Sequence, residues 1–326
     1  MCALNDISKS VLTAKPAEST VLPAAGGAQG WGDVVSAYLS QKDVGSKETK
    51  RTYKKALTQF FHYVGDHGLV LGALTAADLV AYKEYLTEKR HCSSMTVSTY
   101  VCALRGFYEW AESERLYPNI ARTLRTSHDN EHIRMHLTRQ QTTRLLEYFR
   151  TVGVREYAMA NLMLRCGLRT VEVSRADIKD IAFIEDARVL YIQGKGRKDK
   201  KRWVVLRDAA YGPIREYLDT RDDALPSAPL FVGQGKGSRG HRLSTRTIQD
   251  ICKRGLRAIG LDSHQYSAHS LRHTAGVRII NNGGTVADVQ EVLGHASIDT
   301  SRIYLKSANT EIRLANPAER FLDNID

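Results

Sequence analysis

Gly167-Leu168-Arg169-Thr170-Val171-Glu172 decides how this chain is read, together with His269-Ser270-Leu271-Arg272-His273 and with Leu293-Gly294-His295, which Tyr304 follows nine residues later. The apolar run Tyr157 to Arg165 reads as a helix stopped by Gly167, and a new helix opens with Arg169 in its first turn. An arginine there is ordinarily a solvated side chain. Glu172, three residues on, could orient the guanidinium as a bidentate pair, and a fixed arginine is useful where an anion must be held. His269, Arg272 and His273 stand at i, i+3 and i+4, so the spacing puts them on one helix face. Two histidines so spaced can bind a metal or be ordinary structural histidines, but HExxH is absent and no cysteine lies nearby. An arginine beside histidines also suits a phosphoryl group, giving charge stabilisation and proton transfer. Tyr304 is either packing or a phenol used as a nucleophile.

Working outward, Arg188 to Gln193 and Lys201 to Leu206 are rich in Val, Leu, Ile, Tyr and Trp and flank a glycine-containing turn, which predicts a β-hairpin. Its tip holds Lys195, Arg197, Lys198, Lys200, Lys201 and Arg202 against one acid, Asp199. Such a tip is either a solvated turn or a shape that enters a nucleic-acid groove and reaches phosphates. A lysine placed there can also protonate a leaving oxygen. Gly235-Lys236-Gly237-Ser238-Arg239-Gly240 matches GxGxxG, yet no βαβ context surrounds it and a dinucleotide site is not expected.

Upstream, Thr138 with Gln141 opens a helix through Phe149. Downstream, helices are expected at Ser244 to Ile259, Ser270 to Ile280, Val286 to Leu293 and around Ser301 to Leu305. Residues 1–29, rich in Ala, Ser, Thr, Pro and Gly, read as a flexible tail. Four helices are then expected: one carrying Val35 and Tyr38, one with Leu57, Phe60 and Val64, one opened by a Thr75/Asp78 capping box, and Ser93 to Ser113. The polar stretch between Pro118 and His136 reads as a connector. The expected division is thus the tail 1–29, a helical domain over 30–128, and a second domain over 129–326.

The 326 residues, 42% hydrophobic and 25% charged, fit about two globular domains. No apolar run is long enough to span a bilayer, and no signal peptide is read, so the expectation is a cytoplasmic protein with no membrane partner. The net charge of +11 is uneven: residues 1–130 hold 15 basic and 13 acidic side chains, and residues 131–326 hold 32 and 23. The excess favours a polyanionic partner without identifying it, and it sits in the second half. The five cysteines are scattered, as in reduced thiols, and no metal site is expected.

In content and order these motifs resemble the tyrosine recombinase, or phage integrase, family: GLRxxE at Gly167 to Glu172, a basic GKG hairpin at Gly194 to Gly196, HxLRH at His269 to His273, LGH at Leu293 to His295, then Tyr304. The resemblance implies a mainly α fold with a small antiparallel β-sheet, in which a four-helix core-binding domain precedes an α+β catalytic domain. It implies that Arg169 and Arg272 bind the scissile phosphate, Lys195 protonates the departing 5′ oxygen, and His269 assists proton transfer. His295 would hydrogen-bond the phosphate, and Tyr304 would form a 3′-phosphotyrosyl linkage, with Glu172 and His273 in support. Arg197, Lys198, Lys200, Lys201 and Arg202 would contact DNA. No cofactor, metal or ATP is implied. Lys306 stands where the family often has histidine, and Lys198, Lys200 and Lys201 rival Lys195.

The resemblance further implies two domains clamping double-stranded DNA at an inverted-repeat core site. Four protomers would exchange strands through a Holliday junction, with accessory DNA-bending proteins as further partners and the nucleoid as the place of action. Ile312, Leu314, Phe321 and Leu322 would dock on a neighbouring protomer or pack within their own. The long tail and basic catalytic half favour integration or excision of a mobile element over Xer-type dimer resolution. A type IB topoisomerase shares the chemistry, and a DNA-binding regulator would have no use for the nucleophile.

Overall fold

The computed structural model describes residues 29–41, 44–126, 135–194 and 199–315. The chain divides into two compact units, Met1–Glu131 and His132–Asp326. In the first, four helices appear where the apolar stripes place them: α1 Gln29–Ser40, α2 Lys47–Asp66, α3 Ala76–Glu88 and α4 Ser94–Ser113. Each of the last three starts on a hydroxyl residue. Ser46 Oγ accepts from the Thr49 amide, Thr75 and Asp78 form the expected capping box, and Ser93 Oγ accepts from the Thr96 amide. The helices bury Leu57, Phe60, Leu79, Tyr82, Leu86, Leu104 and Phe107 in one core. Its rings meet edge to face, as in Phe60 against Tyr82 with centroids 5.1 Å apart.

The second unit is built around α6 (Val154–Cys166), buried along nearly its whole length between α5 (Arg139–Val152), α8 (Asp208–Asp219) and α10 (Ala268–Asn281). Gly167 ends α6 at φ +64°, the left-handed region that favours glycine, and a β-carbon there would displace the Leu293 side chain. The short α7 (Thr170–Arg175) follows at once. The hairpin strands are β2 (Ala187–Ile192) and β3 (Arg202–Val205), and a strand the sequence reading did not anticipate, β1 (Ile181–Ile184), completes an antiparallel sheet in the order β1-β2-β3. Leu190 pairs with both Ile181 and Val204.

Helix α9 (Thr245–Ala258) packs on α5 and α7. Helices α11 (Val286–Leu293) and α12 (Asp299–Ala315) close over α10 through Val277, Val289, Leu293, Tyr304 and Ala308. Gly233 to Gly240 forms a tight turn, its ends joined by the Gly240 amide donating to the Gly233 carbonyl, so the GxGxxG match sits in no βαβ unit among the described residues. The tail up to residue 28, Phe321 and Leu322 lie outside the described residues.

Candidate active site

Glu172, with no exposed surface, is the hub of the site. Arg169 sits one residue before α7 in extended backbone, as its N-cap rather than in its first turn. Its amide donates to Glu172 Oε2 (2.7 Å) and its Nη1 to Oε1 (2.9 Å). The carboxylate therefore holds the residue by backbone and side chain together, instead of through the side-on guanidinium pair expected from the spacing. Arg272, on α10 and 5% exposed, donates to the Gly167 carbonyl (2.5 Å) and the Leu293 carbonyl (2.6 Å), with Nη1 3.8 Å from Glu172 Oε2. A third guanidinium, Arg202 on β3, donates to Glu172 Oε1 (3.2 Å) and to the Val292 carbonyl (2.8 Å).

Three guanidiniums around one carboxylate leave a net positive pocket. Burial, then the charge of Arg169, pulls the Arg272 guanidinium down to about 10. His295 stands just past α11, where Gly294 at φ +60° turns the chain. Burial, with the charges of Arg272, Arg169 and Arg202, lowers the imidazole to about 4. The ring is therefore neutral near pH 7. Its Nδ1 shares a 2.8 Å hydrogen bond with the hydroxyl of Ser301, which is fully buried.

Tyr304, on α12 and 5% exposed, lies between two imidazoles: His273 at 4.7 Å between centroids, and His295 stacked at 5.8 Å. A β-carbon at Gly276 would overlap the Tyr304 ring, so α10 yields that space to the phenol. His273 Nε2 lies 3.4 Å from Ser307 Oγ.

Arg169, Glu172, Arg272, His273, His295 and Tyr304 thus come together from α7, α10, the α11 end and α12. His269 shares their helix but is exposed, while Arg272 and His273 turn inward. Lys195, Arg197 and Lys198 lie outside the described residues. Of the remaining basic tip, Lys201 alone is open to solvent, its side chain 81% exposed beside Asp199. Lys200 is engaged instead with Asp177 (2.7 Å), Asp180 (2.5 Å) and the Arg175 carbonyl, and Arg242 binds Asp177 from the other side. Asp177 is accordingly held below the usual carboxylate range by Lys200 and Arg242, against the opposing effect of burial. Arg202 also points inward, so both residues are committed within the unit rather than presented to a groove.

The sequence reading missed the inward Arg202, Ser301 and the space left by Gly276. Strand alternation carried the first signal, because Arg202 shares the face of buried Val204 while Trp203 and Val205 point outward. Among the described residues no group of three His, Cys, Asp or Glu is placed to hold a metal ion, and no helix is long and apolar enough to cross a membrane.

Residues 135–311 match the phage integrase family, and residues 36–115 match the phage integrase N-terminal SAM-like domain. Tyrosine recombinase XerC of Leptospira interrogans is 27% identical over 283 residues, spanning 85% of this chain and 88% of that protein. Among solved structures, the XerH site-specific recombinase bound to palindromic difH substrate in a post-cleavage complex superposes with a TM-score of 0.67 at 23% identity, over 83% of this chain and 80% of that one. The Tn1549 transposon integrase in complex with transposon right end DNA gives 0.67 at 16% identity, over 88% and 99%. At these identities the two structures speak for the fold.

Proposed function

Because the chain belongs to the phage integrase family, whose members are tyrosine recombinases, we propose that Tyr304 is its nucleophile and that Arg169 and Arg272 hold the phosphate that Tyr304 attacks. The protein is a site-specific recombinase, an enzyme that cleaves and rejoins DNA strands. One observation carries the assignment of residues: two buried or half-buried guanidiniums, a neutral imidazole and a buried phenol converge from four elements on one positive pocket.

The phenolic oxygen forms a bond to phosphorus as the bond to the 5′ oxygen breaks, leaving a 3′-phosphotyrosyl linkage and a free 5′ hydroxyl. Arg169 and Arg272 neutralise charge on the non-bridging oxygens as it builds. His295, held by Ser301 through Nδ1, offers Nε2 to the phosphate. His269 takes part in moving the phenol proton, and Lys195 delivers a proton to the departing oxygen. His273 packs on the phenol and sets its approach. Lys201 meets the DNA backbone, with Arg197 and Lys198 beside it in sequence. Attack by the 5′ hydroxyl of a partner strand reverses the step, and the phosphotyrosyl bond conserves the energy of the phosphodiester. Assembly as a tetramer on an inverted-repeat site, with accessory proteins, follows the family.

The long N-terminal segment and the basic second unit favour integration or excision of a mobile element. Dimer resolution is the second reading, favoured by the XerC relative. Covalent capture separates them. Purified protein is mixed with fragmented DNA from its own source and denatured, and the attached DNA is sequenced beside a Tyr304→Phe control. One short inverted-repeat site at element ends supports the first reading; a single chromosomal or plasmid site supports the second. Attachment without sequence preference indicates topoisomerase-like action, and capture by the Phe variant overturns the assignment of Tyr304.

A further inference from the structure

Helix α11 ends at Leu293, and like any helix it leaves its last carbonyls without partners inside the helix. Here guanidiniums take two of them: Arg202 binds the Val292 carbonyl and Arg272 the Leu293 carbonyl. The next residue, Gly294, turns left-handed, and a β-carbon on it would lie 2.7 Å from Arg202 Nε and 2.8 Å from its Cδ and Cζ. The guanidinium therefore lies flat against the turn that delivers His295. From that turn the same group reaches Glu172, which holds Arg169. Its side chain is 21% exposed, whereas that of Lys201, one residue before it, is 81% exposed.

We propose that Arg202 is a positioning residue: by binding Glu172 and the Val292 carbonyl at once, it fixes the His295 turn against the phosphate-binding arginines. The inference rests on the reading of that pocket given above. The hydrogen bonds of the Arg202 guanidinium go to Glu172 and the Val292 carbonyl. It acts through those two, and exposed Lys201 is its neighbour in sequence. Its position in β3 makes the strand beside α7 the fixed reference for both halves of the pocket, α7 through Glu172 and the α11 end through Val292.

The groups around His295 make the test specific. Arg169 faces it from the N-cap of α7 and Glu172 from α7 itself, Arg202 from β3, Arg272 from α10, and Ser301 and Tyr304 from α12. Arg202→Met removes the charge and both hydrogen bonds with little loss of length. Arg202→Lys keeps the charge but cannot span both acceptors.

Three measurements on the full chain are compared: the His295 titration by histidine NMR without DNA, assigned with a His295→Gln variant; affinity for duplex bearing the captured site; and single-turnover phosphotyrosyl formation on that duplex. In the Met variant, His295 titrates at higher pH than in the wild type. Cleavage slows by about 10- to 100-fold while affinity changes by less than about 2-fold, the pattern of a group that supports others. The Lys variant keeps the wild-type His295 titration and cleaves at a rate between the two, and it carries the comparison if the Met variant does not fold. Wild-type cleavage by both variants would overturn the proposal. So would an affinity loss that accounts for the whole rate loss with His295 unmoved, since that describes a DNA contact. If the wild type itself fails to form the phosphotyrosyl bond, the reading of the pocket fails, while the DNA-free His295 titration still decides whether Arg202 sits beside the imidazole.

Discussion

The two units are held together by different physics. The core of the first is rings and aliphatic chains, and none of the buried charged side chains among the described residues belongs to it. Arg155, Glu156, Glu172, Asp180 and Arg272 all lie in the second unit. Apolar burial stabilises wherever it occurs, whereas a buried charge costs several kcal/mol unless it is well paired. At the Arg169, Arg202 and Arg272 cluster the pairing is incomplete, because one carboxylate serves three guanidiniums. The first unit is arranged for stability. The second keeps an excess of positive charge around a single buried carboxylate.

The largest expected effect breaks this contrast at its centre. Glu172→Ala leaves three guanidiniums facing one another and should cost about 3–5 kcal/mol in urea unfolding, with part of the loss recovered in sulfate, which can stand in for the carboxylate. Phe107→Ala, in the first unit's core, should cost a similar ~3–5 kcal/mol through the cavity it leaves. Its deficit should be indifferent to sulfate beyond the general salt effect seen in the wild type. Equal recovery in both variants would erase the distinction between the units.

Gly276→Ala sharpens the contrast at a smaller scale. The new methyl group must displace the Tyr304 ring, at about 1–3 kcal/mol. Phosphotyrosyl formation should fall further than stability explains, since the phenol leaves its place between His273 and His295. A variant that loses stability but cleaves at the wild-type rate would separate that packing from the chemistry.

The smallest effect is a pH dependence confined to the second unit. His295 titrates at about 4 when folded, against 6.5 in an unfolded chain. As pH falls from about 6.5 towards 4, the unfolded chain therefore takes up a proton that the folded one refuses, and stability drops. The slope is at most ~1.4 kcal/mol per pH unit, less for a ring that keeps some exposure. Urea unfolding between pH 7 and 5 should show this slope in the wild type and lose it in a His295→Asn variant. An unchanged slope in that variant would assign the proton elsewhere.

Much of this was legible in the residues. The hydroxyl caps at Thr75 and Thr138, the glycine stop at Gly167 and the apolar stripes of α2 and α4 each write a local rule that tertiary packing did not override. Strand β1 has four residues, too few to display a period. Helix α8 carries Gly212 and Pro213, both of which read as breakers, and tertiary packing against α6 sustains it nonetheless. Within the site, motif order brought out Arg169, Glu172, Arg272, His295 and Tyr304. The basic hairpin misled because charge was counted without alternation: Lys200 and Arg202 are basic, yet buried carboxylates at Asp180 and Glu172 draw them inward. Ser301 gave no signal, since a lone serine in a polar segment is unremarkable until a histidine is folded against it.

A covalent bond to DNA through one residue of this pocket is the step that most needs testing. The most direct measurement is to capture the protein on its recovered site cut into a nicked duplex, digest both polymers, and find by mass spectrometry the peptide that retains a nucleotide. The nucleotide is expected on Tyr304, with no adduct from Tyr304→Phe. A nucleotide on any other residue, or an adduct that survives the substitution, would contradict it.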